Sequence, residues 1–183
     1  MPNEFTLRLA TPADAGILAR AGAELFADTF GAENRPEDLA AYLSTAFSEE
    51  QQRRELEERF NRILLAIDAG GELSGYVHLR FGARPASTSM PNGSATRPVE
   101  IARLYAGRQW HGRGLGAQLM DASFAAARAW HADLLWLGVW EHNPRAIAFY
   151  KKHGFRAIGE QWFMLGTDRQ RDLVMAVQLT SDG

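Results

Sequence analysis

The chain has 183 residues, a formal net charge of -2, 46% hydrophobic and 23% charged residues, and no cysteine. These values fit one soluble domain over residues 1–183 and exclude disulfides, thiolate nucleophiles and Cys-based zinc sites, while the lack of a basic tract disfavours a nucleic-acid binder. The N-terminus MPNEFTLRLATPAD lacks a basic-then-apolar leader and no apolar run reaches membrane-spanning length, so a cytoplasmic protein without membrane attachment is expected.

Phe5 to Leu9 alternates apolar and polar residues like a strand, and Thr11-Pro12-Ala13-Asp14 then opens a helix with an N-cap hydroxyl and an early proline. Its apolar stripe is Ile17, Leu18, Ala21, Leu25 and Phe26, and it ends near Gly31, before a loop to Pro36. Glu37 to Phe47 reads as a second helix carrying Leu39, Tyr42 and Leu43. A third helical piece begins at Ser48 and runs towards Phe60; its Glu and Arg residues read as a solvated face. Asn61 to Asp68 and Leu73 to Phe81 form a hairpin about Ala69-Gly70-Gly71-Glu72. Residues 82–98, rich in Pro, Ser, Thr, Gly and Asn, read as a flexible loop between strands.

After a strand at Val99 to Ala106, Leu115, Leu119, Ala122, Ala126 and Trp130 line one side of a helix, and Leu134 to Trp140 is a strand buried on both faces. Asn143-Pro144 starts a further helix that Gly154 ends, and strands Phe155 to Leu165 and Leu173 to Leu179 are joined by Gly166-Thr167-Asp168-Arg169. Trp136, Trp140 and Trp162 are expected in the core. The order predicts an α/β fold, a central mixed sheet flanked by helices.

The stretch VEIARLYAGRQWHGRGLGAQLM joins an apolar strand to a helix through a glycine cluster. Gly112, Gly114 and Gly116 offer backbone conformations closed to residues with a Cβ and let a ligand approach the main chain. The amides that open the helix point outward from its positive end, which makes the turn an anion site suited to phosphate. A P-loop is excluded, because Lys followed by Ser or Thr is absent after the last glycine. A dinucleotide fingerprint fits Gly112, Gly114 and Ala117, with Asp133 near the ribose-binding spacing. Asp133, however, precedes the apolar run Leu134 to Val139 instead of following a strand, which disfavours a nicotinamide site.

In WLGVWEHNPRAIAFYKKHGF, Asn143 and Tyr150 return to nearly the same side of a helix two turns apart. Taken alone, Asn143 is equally an ordinary N-cap and Tyr150 equally a core residue. The pattern Gln109-x-x-Gly112-x-Gly114 resembles motif A of the GCN5-related N-acetyltransferase (GNAT) superfamily, and the Asn143 to Phe155 stretch resembles its motif B. Strand and helix order also match over nearly the whole chain. Through FADTFG, IARLY and LWLGVWEHNPRAIAFYKKHGF the chain is similar to the PaiA-type spermidine/spermine acetyltransferases.

The resemblance implies the GNAT acyl-CoA N-acyltransferase fold and acetyl-CoA as co-substrate. It implies cofactor contacts from Leu104, Tyr105, Ala106, Gln109, His111, Gly112, Arg113, Gly114, Leu115, Gly116 and Ala117, with Asn143 at the pantetheine. Tyr150 would face the CoA sulfur as general acid. Backbone amides near Tyr105 would bond the acetyl carbonyl where the neighbouring strand splays away. Glu100 is the candidate base, acting through water, although direct attack with solvent taking the proton needs none. Asp28, Glu33, Glu37 and Asp38 lie around the loop where the superfamily often shapes its acceptor pocket; they suit a cationic polyamine, or are ordinary helix-end acids. Lys151 and Lys152 are candidate phosphate contacts. The five histidines share no metal-ligand spacing, and no metal is expected.

The expected function is acetyl transfer from acetyl-CoA to a primary amine of a small molecule, a polyamine among them, or of a peptide, directly in a ternary complex. The alternatives are a non-catalytic acyl-CoA-binding sensor or interaction module and a nicotinamide-binding domain. A homodimer is compatible with either.

Overall fold

The computed structural model describes residues 5–85 and 95–179. Seven strands, β1 (Phe5–Leu9), β2 (Asn61–Asp68), β3 (Leu73–Phe81), β4 (Pro98–Ala106), β5 (Leu134–Trp140), β6 (Arg156–Leu165) and β7 (Asp168–Gln178), form one mixed sheet in the order β1-β2-β3-β4-β5-β7-β6. The helices are α1 (Ala15–Phe30), α2 (Pro36–Ala46), α3 (Glu49–Glu57), α4 (Leu115–Ala129) and α5 (Pro144–Lys152). The expected mixed α/β architecture is therefore the one formed. Of the expected 82–98 loop, residues 86–94 lie outside the described residues.

The chain divides into two compact units, the first comprising residues 1–78, 103–122 and 165–168. Here β1 pairs antiparallel with β2 from Phe5 opposite Asp68 to Leu9 opposite Leu64. The entry to α1 is locked by Asp14, whose Oδ2 accepts from the Thr11 N–H at 2.7 Å while Arg8 donates to both its oxygens. The Arg8 guanidinium holds the Asp14 carboxyl down at about 2. Phe26 of α1 packs on Tyr42 of α2 and on Phe47, with ring centroids 4.8 and 5.6 Å away.

Helix α3 differs from the expected solvated face. Arg53 pairs outward with Glu49, and Arg54 with Glu50, but Gln52 is fully buried and donates from Nε2 to the Ala46 carbonyl at 2.7 Å. A charge run read without its partners does not show which of its polar groups find acceptors inside.

The turn between β6 and β7 is Gly166-Thr167, and β7 begins at Asp168, five residues before the expected Leu173. Asp38 is not an open acceptor-pocket acid. It is buried, and it accepts from Thr167 N at 2.6 Å, Thr167 Oγ1 at 2.8 Å and Arg35 Nε at 2.8 Å. The Thr167 backbone bond, then its hydroxyl and Arg35, hold the Asp38 carboxyl below its ordinary range.

The second unit comprises residues 79–102, 123–164 and 169–183. β5 pairs antiparallel with β7 from Leu134 opposite Gln178 to Trp140 opposite Asp172, and parallel with β4 from Pro98 opposite Leu134 to Glu100 opposite Trp136. Because side chains alternate along a strand, Leu134, Trp136, Val174 and Ala176 share one face and form a core cluster. Leu135, Leu137, Val139 and Met175 are buried on the other, so β5 is covered on both faces as its composition predicts. Trp136 Nε1 donates to the Ala83 carbonyl at 2.8 Å. Trp162, expected in the core, is 57% exposed on β6, the last strand of the sheet, beneath the Arg169 guanidinium. Along α4, Leu115, Leu119, Met120, Ser123 and Ala127 are buried, while Ala122, Ala126 and Trp130 are only partly so, a slight rotation of the expected stripe.

Gly166 has φ of 61°, and a Cβ there would meet Asp38 Oδ1 at 2.4 Å and Asp38 Cα at 2.5 Å. Gly166→Ala therefore combines left-handed strain with a backbone clash, and is expected to cost about 2 kcal/mol or more. Thermal denaturation should show a Tm fall of roughly 5 °C or more; an unchanged Tm would contradict the assigned turn.

Candidate functional site

In the first unit β4 gives way to one 3-10 turn at Arg108–Trp110 and then to residues 111–114 before α4. Gly112 and Gly114 have φ of 78° and 88°, the left-handed region that excludes most side chains, and a Cβ on either would meet nothing within 4 Å. The space over both glycines is open. Gly116 departs from expectation: it lies within α4 and is not among the residues with positive φ. The first α4 hydrogen bond runs from the Gln118 N–H to the Gly114 carbonyl at 3.0 Å, so the amides of Leu115, Gly116 and Ala117 start the helix without an intrahelical acceptor.

The turn is fixed from beneath. A His111 ring nitrogen lies 3.0 Å from the Ala106 carbonyl, and the Gly107 N–H donates to the Ser74 carbonyl at 2.8 Å. The Arg113 guanidinium lies over the Trp110 ring at 4.8 Å, and Trp110 meets Phe5 edge-on. The Gln109 side chain folds beside Gly107, where a Cβ would lie 2.9 Å from its Oε1. Gly75 of β3 admits β4 closely: a Cβ there would lie 2.6 Å from the Tyr105 carbonyl oxygen. Of the sequence-predicted residues, Leu104 to Ala117 thus form one continuous strand, turn and helix start, with Leu115 buried beneath it.

A buried polar cluster that sequence reasoning missed underlies the same strand end. Arg103 donates to both carboxylate oxygens of Glu55, at 2.6 and 3.1 Å, and its guanidinium lies over the Phe47 ring at 4.9 Å. His78 Nδ1 is 3.7 Å from Glu55 Oε2. Tyr105 meets Tyr76 edge-on at 5.6 Å. Desolvation pulls the Glu55 carboxyl up, but the Arg103 charge and hydrogen bond outweigh it and the net shift is downward. Burial first, with the Glu55 charge adding to it and Arg103 opposing it, pushes the Tyr76 phenol well up. The signal available in sequence was an arginine inside an apolar strand, IARLY, with no partner in sight.

In the second unit, Glu100 is buried on β4 and both its oxygens engage Arg80, Oε1 with Nη2 and Oε2 with Nε, each at 2.8 Å. Asn143 Oδ1 caps α5 by accepting from the Ala146 N–H at 3.1 Å, so its N-cap reading holds and its amide nitrogen is the group left for another role. Tyr150 is 9% exposed, packed against Phe149 and Phe155. Burial pushes its phenol up to about 12. It stays protonated at neutral pH and can donate. Asp133 accepts from Thr96 N, Thr96 Oγ1 and Arg97 N, which holds the entry to β4 and takes it away from the ribose-binding role of the dinucleotide alternative.

The remaining acids, Asp28, Glu33 and Glu37, are exposed, and Arg108 donates to the Asp28 main-chain carbonyl. Lys151 and Lys152 are exposed in the last turn of α5. Among the described residues no group of three or more His, Cys, Asp or Glu converges on a metal-sized site, and no helix is long and apolar enough to cross a membrane.

The family model of the acetyltransferase (GNAT) family matches residues 24–155. An uncharacterized N-acetyltransferase of Lactobacillus delbrueckii subsp. lactis is 37% identical over 152 residues, 83% of this chain and 84% of the relative. An uncharacterized N-acetyltransferase of Mycobacterium bovis is 32% identical over 91% of this chain and 98% of its own length. Among solved structures, the PaiA N-acetyltransferase of Thermoplasma acidophilum in complex with coenzyme A is similar with a TM-score of 0.74 at 18% identity, over 97% of this chain and 100% of that one. Arabidopsis thaliana NAA60 in complex with acetyl-CoA gives a TM-score of 0.70 at 16% identity, over 96% and 98%. The chain belongs to the acetyltransferase (GNAT) family. It is an N-acetyltransferase with acetyl-CoA as the acetyl donor, and the sensor and nicotinamide alternatives give way to that reading.

The Glu55–Arg103 pair under β4 carries a prediction of its own. Glu55→Gln leaves a buried guanidinium uncompensated and is expected to cost about 3 kcal/mol by urea denaturation at pH 7. Because the Glu55 carboxyl is lowered on folding, its contribution is present above the ordinary carboxylate range and is lost as pH falls through it. The gap between parent and variant should narrow towards pH 3, and a gap independent of pH would contradict the ion pair.

Proposed function

We propose that the chain transfers the acetyl group of acetyl-CoA directly to a primary amine in a ternary complex, in the cytoplasm, the amine belonging to a small molecule or a peptide. The observation that carries this reading is the pair Gly112 and Gly114, left-handed and open above, immediately before a helix whose first amides have no intrahelical acceptor. A diphosphate fits such a turn, since main-chain N–H groups reach it without a side chain in the way. Gln109, His111, Arg113 and the 112–117 backbone would hold it. Leu104, Tyr105 and Ala106 would offer main chain to the pantetheine and thioester, and Asn143 its amide nitrogen.

The end of the β4–β5 ladder supports that use of the strand. Pairing covers Pro98–Glu100 with Leu134–Trp136, although β4 runs on to Ala106 and β5 to Trp140. Main-chain groups past such an end need other partners, and preorganised amides facing a developing oxyanion contribute a few kcal/mol to barrier reduction.

When bound, acetyl-CoA supplies an activated acyl carbon and a thiolate leaving group. Tyr150, protonated and lightly exposed, donates its proton to the departing sulfur. A lysine-like amine of pKa about 10.4 costs roughly 4 to 5 kcal/mol to present neutral at pH 7, so a proton acceptor or a desolvated site must assist. Glu100 serves as that acceptor only through water or by opening its ion pair with Arg80, and solvent is the other recipient. With Asp38 engaged by Thr167, the acids left for a polyamine are Asp28, Glu33 and Glu37, and the homodimer remains compatible with this chemistry.

Tyr150→Phe tests the assignment. Turnover measured by thiol release is expected to fall about 100-fold, with acetyl-CoA affinity by isothermal titration within about twofold of the parent. A variant with full turnover, or a parent that gives no heat with acetyl-CoA at high micromolar concentration, would overturn it.

A further inference from the structure

The second unit holds a buried carboxylate that the chemistry above does not use. Asp172 lies on β7 and is 9% exposed. Its register partner is Trp140, and Val174, two residues on, is opposite Gly138. Side-chain alternation therefore puts Asp172, Trp140, Gly138 and Trp136 on one face of the sheet. Glu100, the register partner of Trp136, belongs to that face too.

Gly138 makes room for it. A Cβ at that position would lie 3.1 Å from Asp172 Oδ2 and 2.4 Å from Gln161 Nε2, so both side chains lie directly over the glycine backbone. Gly138 itself sits two residues past Trp136, where β5 has left its pairing with β4. The Asp172 carboxylate thus reaches across the part of β5 beyond the end of that ladder. Among the described residues no arginine or lysine is paired with it. The described neighbours on its face are uncharged: Gln161 from β6, Trp140 and Gly138 from β5, and Gln170 two residues back on β7. Arg171 alternates to the other face and pairs with Glu141 and Glu160. The Glu100–Arg80 pair lies further along the same face on β4 and β3.

We infer that Asp172 is the proton acceptor for the incoming amine in this chain, with the Gln161 amide orienting its carboxylate over Gly138. The inference rests on the acetyl-transfer reading above and adds the group that reading lacks. Glu100 is tied to Arg80, whereas among the described residues Asp172 meets an amide donor and no cation. Burial, partly offset by that Gln161 bond, raises the Asp172 carboxyl to about 6. A base of this strength is ionised at pH 7 to 8 and still accepts a proton usefully.

The proton balance closes. The ammonium gives one proton to Asp172, which passes it to water, and the neutral amine nitrogen bonds to the acyl carbon. The second nitrogen proton leaves as the C–S bond breaks. The thiolate takes the Tyr150 proton, and the phenolate is reprotonated by the one released from nitrogen. The net products are amide, free thiol and one proton.

Asp172→Asn is tested against spermidine, phenethylamine and a short peptide with a free N-terminus. With whichever amine the parent acetylates fastest, kcat/KM at pH 7.5 is expected to fall about 100-fold, with acetyl-CoA affinity unchanged. The parent's acid limb near pH 6 should disappear, leaving a rate that climbs with pH towards the amine's own pKa and comes within about tenfold of the parent near pH 10. Because a carboxyl raised on folding is destabilising when ionised, the variant should have a higher Tm than the parent at pH 8 and the same Tm at pH 4. A variant within about threefold of parent kcat/KM with the acid limb intact, or one with a lower Tm at pH 8, overturns the role of Asp172 alone. A parent inactive on all three amines overturns the acetyl-transfer reading and this inference together.

Discussion

Strand β4 must keep its end rigid although its ladder with β5 stops at Glu100. Main-chain polar groups are obligatory hydrogen-bonders, so a strand that loses a neighbour needs its position set from elsewhere. In the first unit this is done from β3 and α3. Gly75 lets the two backbones approach closely at Tyr105, the Gly107 N–H reaches the Ser74 carbonyl, and Arg103 is clamped by Glu55. The glycine turn then leaves from a fixed point, with His111 tied back to Ala106. The fold supplies a rigid strand end and an open main chain together, which is what recognition of a diphosphate by backbone amides requires.

The buried charges divide by whether they have a partner. Asp14, Asp38, Glu55 and Glu100 each meet an arginine, and the carboxyls of the first three are held below their ordinary range. Asp172 meets no arginine among the described residues and moves the other way. A paired carboxylate in such a protein fixes geometry, whereas a buried carboxylate without a cation carries a standing cost when ionised.

Much of the fold was readable from local pattern. Asn61–Asp68 and Leu73–Phe81 have the expected limits because two largely apolar runs are separated by a turn with two glycines, of which Gly71 has φ of 86°. The turn at Gly112 and Gly114 was readable because only glycine tolerates its backbone, while Gly116, next to them in sequence, turned out helical. Legibility ended where the partner is distant. Asp38 looked like a helix-end acid until Thr167, 129 residues away, closed on it. Trp162 reads as core by composition but stands on an edge strand, and a single sequence does not say which strand is last. Asp172 sits in DRQRDLVMAVQ as one polar residue among several, and its burial depends on Gly138 and Gln161 from two other strands.

The family assignment is established by residues 24–155, while the roles of Tyr150, Asn143 and the 112–117 turn are our proposals. A crystal structure of the protein grown with coenzyme A tests them most directly. The account predicts diphosphate density within hydrogen-bonding distance of the amides from Gly112 to Ala117 and the thiol sulfur beside the Tyr150 hydroxyl. Density for the diphosphate elsewhere, or a sulfur remote from that hydroxyl, would contradict it.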